Sequence, residues 1–175
     1  MRAASCWRWV LGALLCLFAH TQAAAAVEVA FYSREMSGRH FPHAFVRISG
    51  EPEGGGQSLD ATYGFTARSI SPAILLGSVS GEVRAEPARD VERSERQFTV
   101  TISDPQYSAL MAAVERWRTR RQPSYNLNRR NCVHFVADLA RALGLRTDGA
   151  EQLMKRPRAF LEHERRLNSD LINPP

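Results

Sequence analysis

NCVHFVADLARAL, residues 131–143, reads as a helix with one apolar face. Counted at helical spacing from Cys132, that face carries Phe135, Val136, Leu139, Ala140 and Leu143, and Gly144 marks the stop. A single apolar stripe must be covered by another element, and the residues before it supply a flat partner. Residues 43–49 (HAFVRIS) alternate, with Ala44, Val46 and Ile48 on one face and His43, Phe45 and Arg47 on the other. Residues 27–32 read as an earlier strand. Residues 51–57, with Gly54, Gly55 and Gly56, predict a hairpin connection, and residues 58–65 the returning strand. Residues 81–85 and 97–102 are further strands, the second rich in β-branched side chains. The apolar stretch 71–80 begins with a Ser-Pro turn and fits either a helix or a loop.

After residue 102 the pattern changes. Asp104-Pro105 predicts a helix start, with Asp104 as N-cap and Pro105 at the first helical position. Leu110, Met111, Val114 and Trp117 form its stripe through to about Arg120, and Gln122-Pro123-Ser124 breaks it. The Cys132 helix follows. Residues 157–167 predict a third helix, short and highly charged. Strands first and helices after make the class α+β: a small antiparallel sheet packed against the cysteine-bearing helix.

The first residues have the three parts of a secretory signal. Arg2 and Arg8 give a positive start, residues 9–19 an apolar run, and residues 21–26 a small-residue tract that a signal peptidase could cut. The run is about half the roughly 20 residues a membrane helix needs, so a removed leader (1–26) is expected rather than a stable span. Leu15 before Cys16 argues against a lipoprotein. One domain, 27–175, would remain, about 149 residues with a net charge near +3, because the leader carries two of the 23 basic residues and none of the 18 acidic ones. The bases are nearly all arginine and are scattered, which suits a solvated surface with weak affinity for anionic wall polymer or lipid. The expected location is periplasmic or secreted, where nucleic acid is not a partner.

Cys6 and Cys16 leave with the leader, so Cys132 is a lone thiol in an oxidising compartment. It begins the apolar stripe, as a small buried residue would. It also sits in the first helical turn, where unpaired N–H groups and the helix dipole stabilise a thiolate. A nucleophile needs a base, usually histidine. His163 falls in the charged last helix, and His134 lies about 200° around the helix from Cys132. His43 on its strand is the first choice and His40 the reserve. Their three-residue spacing puts them on opposite faces of an extended chain, which argues against a metal pair. Asp60, on the returning strand, is the candidate to orient the histidine, with Tyr63 as its competitor. Such chemistry needs no cofactor.

Residues 125–136 (YNLNRRNCVHFV) resemble the Asn-Cys-x-His-Phe-Val nucleophile box of the permuted NlpC/P60 papain-like group, which includes lecithin:retinol acyltransferase and its bacterial relatives. In that group a strand histidine precedes the helix-start cysteine, as His43 precedes Cys132. The resemblance implies a nucleophile at Cys132, a base at His43, and a small antiparallel sheet against the cysteine helix. No second strand histidine stands where the acyltransferase branch places one, so the third position stays open. The implied activity is thiol hydrolysis of an amide or ester, with cell-wall peptides as default substrate and a lipid acyl group as the alternative. A non-catalytic envelope binding module would keep the same fold.

Overall fold

Five strands form one sheet in which every neighbour is antiparallel: β1 (Val27–Arg34), β2 (His43–Gly50), β3 (Leu59–Ala67), β4 (Gly81–Arg84) and β5 (Glu95–Ile102), in the order β4-β3-β2-β1-β5. The computed structural model describes residues 26–38 and 41–175. The expected leader up to Ala25 and the reserve histidine His40 lie outside the described residues. β1 and β2 pair from Val27 opposite Gly50 to Arg34 opposite His43, which aligns the apolar alternation of the two strands. Gly50 ends β2 at the open end of this pair, at φ +113°, where a Cβ would strike the Ala26 carbonyl.

Among the described residues, five α-helices follow or interrupt the strands: α1 (Ala73–Leu76), α2 (Ala88–Glu92), α3 (Asp104–Arg118), α4 (Cys132–Ala142) and α5 (Pro157–Leu167). The stretch 71–80 is thus a single helical turn followed by Val79, whose N–H and carbonyl both bond Tyr125 at 2.9 Å. The start of α3 needs a correction of one residue. Ser103 is the extended N-cap, and its N–H donates to Gln106 Oε1 at 3.0 Å. The Asp104 carboxylate is occupied elsewhere, accepting from the N–H groups of Glu53 and Gly54 in the β2–β3 loop at 3.0 and 2.8 Å.

Ala44, Val46 and Ile48 enter the main core with Phe135, Val136, Leu139 and Ala140, as α4 packs on β2 and β3. Phe65 of β3 meets Trp117 edge-on at 4.7 Å, and Trp117 meets Phe135 edge-on at 5.5 Å. The Trp117 indole N–H donates to Asp138 at 2.9 Å, which ties α3 to α4. Burying each such side chain contributes roughly 1.5–3 kcal/mol. Phe45 is buried outside this cluster and stacks on Tyr32 at 5.1 Å, so the second face of the sheet is also partly covered. Among the described residues, no helix is long and apolar enough to cross a membrane.

The helix α5 is less of a surface element than its charge suggests. Phe160 and Leu161 are buried as it packs on β1 and β5, and Glu164 is buried with them. Neither carboxylate oxygen of Glu164 finds a hydrogen-bond partner among the described residues, and burial pushes its pKa up to about 7 against the partial relief of Arg141. A carboxyl whose folded pKa is raised stabilises the fold below its ordinary pKa, and that contribution is lost as pH rises through 7. Wild type is therefore expected to lose about 3 kcal/mol more stability between pH 4 and pH 8 than Glu164→Gln. Urea melts of both proteins at the two pH values check this, and parallel pH profiles would contradict it.

Candidate active site

Asn131 builds the site from the backbone up. It is buried and extended, with φ −124° and ψ −171°, and its Oδ1 accepts the N–H groups of Val133 and His134 at 2.9 and 3.3 Å. Its Nδ2 donates to the carbonyls of Leu127 and Met154 at 2.9 and 2.8 Å, so one side chain ties the helix start to the chain before and after it. Cys132 is then the first residue of α4, at the positive end of the helix. His134 turns the other way, its Nδ1 held 2.9 Å from Asn131 Oδ1, and burial lowers its pKa.

The structure brings Cys132 and His43 together. Both are buried and line one cleft, and the imidazole stands near enough to the thiol for each to shift the other's pKa. His43 alternates away from Ala44 and Val46, yet it is the first residue of β2, so its ring meets the helix start where the sheet ends. Burial on its own would raise the Cys132 pKa. The hydrogen bond and charge of His43, with backbone N–H groups of Ala44 and Val133, bring it below the ordinary thiol value instead. For His43 burial pulls downward, but the bonds to Cys132 and Glu86 outweigh it and lift the pKa to about 9. The two shifts run in the directions that favour a thiolate–imidazolium pair.

Glu86, and not Asp60, is the carboxylate that stands beside His43. His43 Nε2 lies 3.0 Å from Glu86 Oε1. Burial raises the Glu86 pKa, but the bond to His43 and its charge, helped by Arg84 and Arg34, hold it below the usual carboxylate value. Glu86 lies just past β4, where its N–H donates to Thr62 Oγ1 at 2.8 Å. Asp60 stands opposite Ser49, exposed, and is gripped by Arg47 at 2.8 and 3.0 Å. Ser49 is six residues along β2 from His43, roughly 20 Å of extended chain. Tyr63 stands opposite Val46, with the Arg118 guanidinium 5.3 Å above its ring.

Gly64 makes the His43–Glu86 contact possible. A Cβ at this position would collide with Glu86 Oε1 and lie 2.8 Å from His43 Nε2. Gly64→Ala is thus expected to separate the pair while leaving Cys132 and its helix in place, and to slow iodoacetamide labelling of Cys132 at pH 7 by about tenfold. An unchanged rate would mean that Glu86 does not govern the imidazole.

These residues open into a cleft of about 710 Å³ whose walls include Phe41, Ile70, Leu75, Tyr125, Cys132 and His43. Burial and then the charge of Cys132 push the Tyr125 phenol pKa up, so its O–H keeps its proton in the cleft. Sequence reasoning missed both Glu86 and Tyr125. For Tyr125 a signal was present, since it begins the same run as Cys132. Among the described residues, no group of three or more His, Cys, Asp or Glu side chains could hold a metal ion. Compared with known proteins, the chain matches no family, no curated protein and no solved structure.

Proposed function

We propose that this chain is an exported papain-like thiol hydrolase that cleaves an amide or ester bond through Cys132, His43 and Glu86. The observation that carries the proposal is the cluster of Cys132, His43 and Glu86 at one open cleft, with the imidazole 3.0 Å from the Glu86 carboxylate. In this mechanism the Cys132 thiolate attacks the carbonyl carbon and the carbonyl oxygen gains the negative charge. The Cys132 N–H, which is not one of the two taken by the Asn131 cap, and the Tyr125 hydroxyl are the donors proposed to meet that oxyanion. The imidazolium gives its proton to the departing amine or alcohol, which leaves an acyl-thioester. Neutral imidazole then takes a proton from water as the water attacks, and the acid and free thiol are regenerated. Glu86 holds the ring and offsets its charge throughout.

Cell-wall peptides are the first substrate class, supported by the leader-like start and by the resemblance around Cys132. The apolar cleft walls at Phe41, Ile70 and Leu75 favour a lipid acyl ester as a second reading. The test is to incubate the protein with purified wall peptides and, separately, with phospholipid vesicles. Mass spectrometry would look for cleaved peptides or released fatty acid. One of the two products is expected with wild type and neither with Cys132→Ser. Equal product from Cys132→Ser would remove the nucleophile from the mechanism.

A further inference from the structure

The segment from Arg68 to Ser78 is exposed except at Ile74, although much of it is apolar. It includes α1, a helical turn with no buried residue. Ile70 is 66% exposed, Leu75 77% and Leu76 90%, and Phe41 across the cleft is 56% exposed. These are among the few large apolar side chains left in water by the described residues, and three of them line the mouth above Cys132. Leu76 extends the patch outward on the same turn. Scattered exposed leucines need no explanation, but a cluster on one protruding turn does.

Charge narrows the choice of partner. Arg84, Arg89 and Lys155 are exposed, and with Arg34 they line the same cleft. Asp90 is the lining acid that faces them, and it is buried between Arg34 at 3.5 Å and Arg89 at 4.0 Å. The rim is therefore a projecting apolar turn backed by excess cations. A lipid bilayer with anionic headgroups matches both halves, since leucine and isoleucine tips enter the headgroup–acyl boundary while arginine and lysine stay at the phosphates.

We infer that the α1 turn and Phe41 form a membrane-docking face that seats the mouth of the Cys132 cleft on an anionic lipid surface. Docking uses neither the thiol nor the imidazole, so it stands apart from the catalytic proposal. The experiment is vesicle sedimentation with the chain from Val27 onward, which contains all the core residues named above. Phosphatidylglycerol vesicles are compared with phosphatidylcholine vesicles, and sedimentation velocity is run without lipid. Wild type is expected to pellet with phosphatidylglycerol more than with phosphatidylcholine. Leu75→Ser/Leu76→Ser should cut the partition coefficient on the order of tenfold at unchanged Tm. Arg84→Gln/Arg89→Gln should cut it several-fold for phosphatidylglycerol alone, and Cys132→Ser should bind like wild type. Equal binding by the leucine variant, or no binding by wild type, overturns the inference. A dimer that the leucine variant dissolves, with no vesicle binding, would assign the patch to a second copy of the chain instead.

Discussion

Cys132→Ser and His43→Ala are each expected to lower turnover by at least about a thousandfold, and the double variant should be little worse than either alone. Groups that act on one proton as a unit lose their joint contribution once, so their effects do not add. The two single variants differ in what they do to the fold. Serine at 132 leaves the cap of Asn131 and the packing of α4 untouched. Alanine at 43 strands the buried Glu86, one of whose oxygens has no hydrogen-bond partner even now. Glu86 then takes up a proton rather than remain an unpaired buried charge, and stability falls. His43→Gln keeps a polar group near Glu86 and serves as the folded control. It should be as inactive as His43→Ala, since an amide cannot carry the proton. Activity retained by the glutamine variant would remove the base role from His43.

Leu139→Asp is expected to destabilise the fold severely, taking up much or all of its stability. Leu139 has no exposed surface and lies in the core with Val136 and Ala140, on the face of α4 that covers the sheet. An aspartate there loses the buried apolar area and places a carboxylate where nothing pairs it, at a cost of roughly 4 kcal/mol or more. Domains of this kind are stable by about 5–15 kcal/mol. Circular dichroism should show a much lower Tm or loss of the cooperative melt. A variant with the Tm of wild type would mean that α4 presents a different face to the sheet.

The parts of the fold governed by local pattern were legible in the sequence. Alternation in residues 43–49 and helical spacing from Cys132 each point to a buried face, and the structure gives both elements close to the expected bounds, as it does the strands and the α3 and α5 helices. The site was half legible, because the placement of Cys132 and His43 follows from a helix start and a strand start. The third position depended on register, which no local pattern states. With Phe45 opposite Gly64, the antiparallel count carries Asp60 to the far end of β2. With Gly64 opposite Arg84, it carries Glu86 toward Thr62, one strand beyond His43. Glu86 reaches across to the ring only because Gly64 has no side chain, and that gap can be seen only after three strands are aligned. The α3 cap failed for a similar reason. Asp104 has the right chemistry for an N-cap, but a distant loop claims its carboxylate, and Ser103 caps instead. α2 carries no periodic signal in its five residues and was not anticipated.

The central claim is that Cys132 and His43 share a proton as thiolate and imidazolium. Its most direct test is the rate of iodoacetamide labelling of Cys132 against pH in wild type, His43→Gln and His134→Ala. In wild type the imidazolium persists until about pH 9 and the thiol pKa is lowered, so labelling should be fast at pH 7 and should fall only well below it. In His43→Gln the burial of Cys132 is no longer offset by a positive partner, so the labelling midpoint should move above the ordinary thiol value. His134→Ala should follow wild type, because that ring is held on Asn131 away from the sulfur. A wild-type profile rising only near pH 8.5–9, unchanged by His43→Gln, would contradict the pair and leave a binding module as the better description.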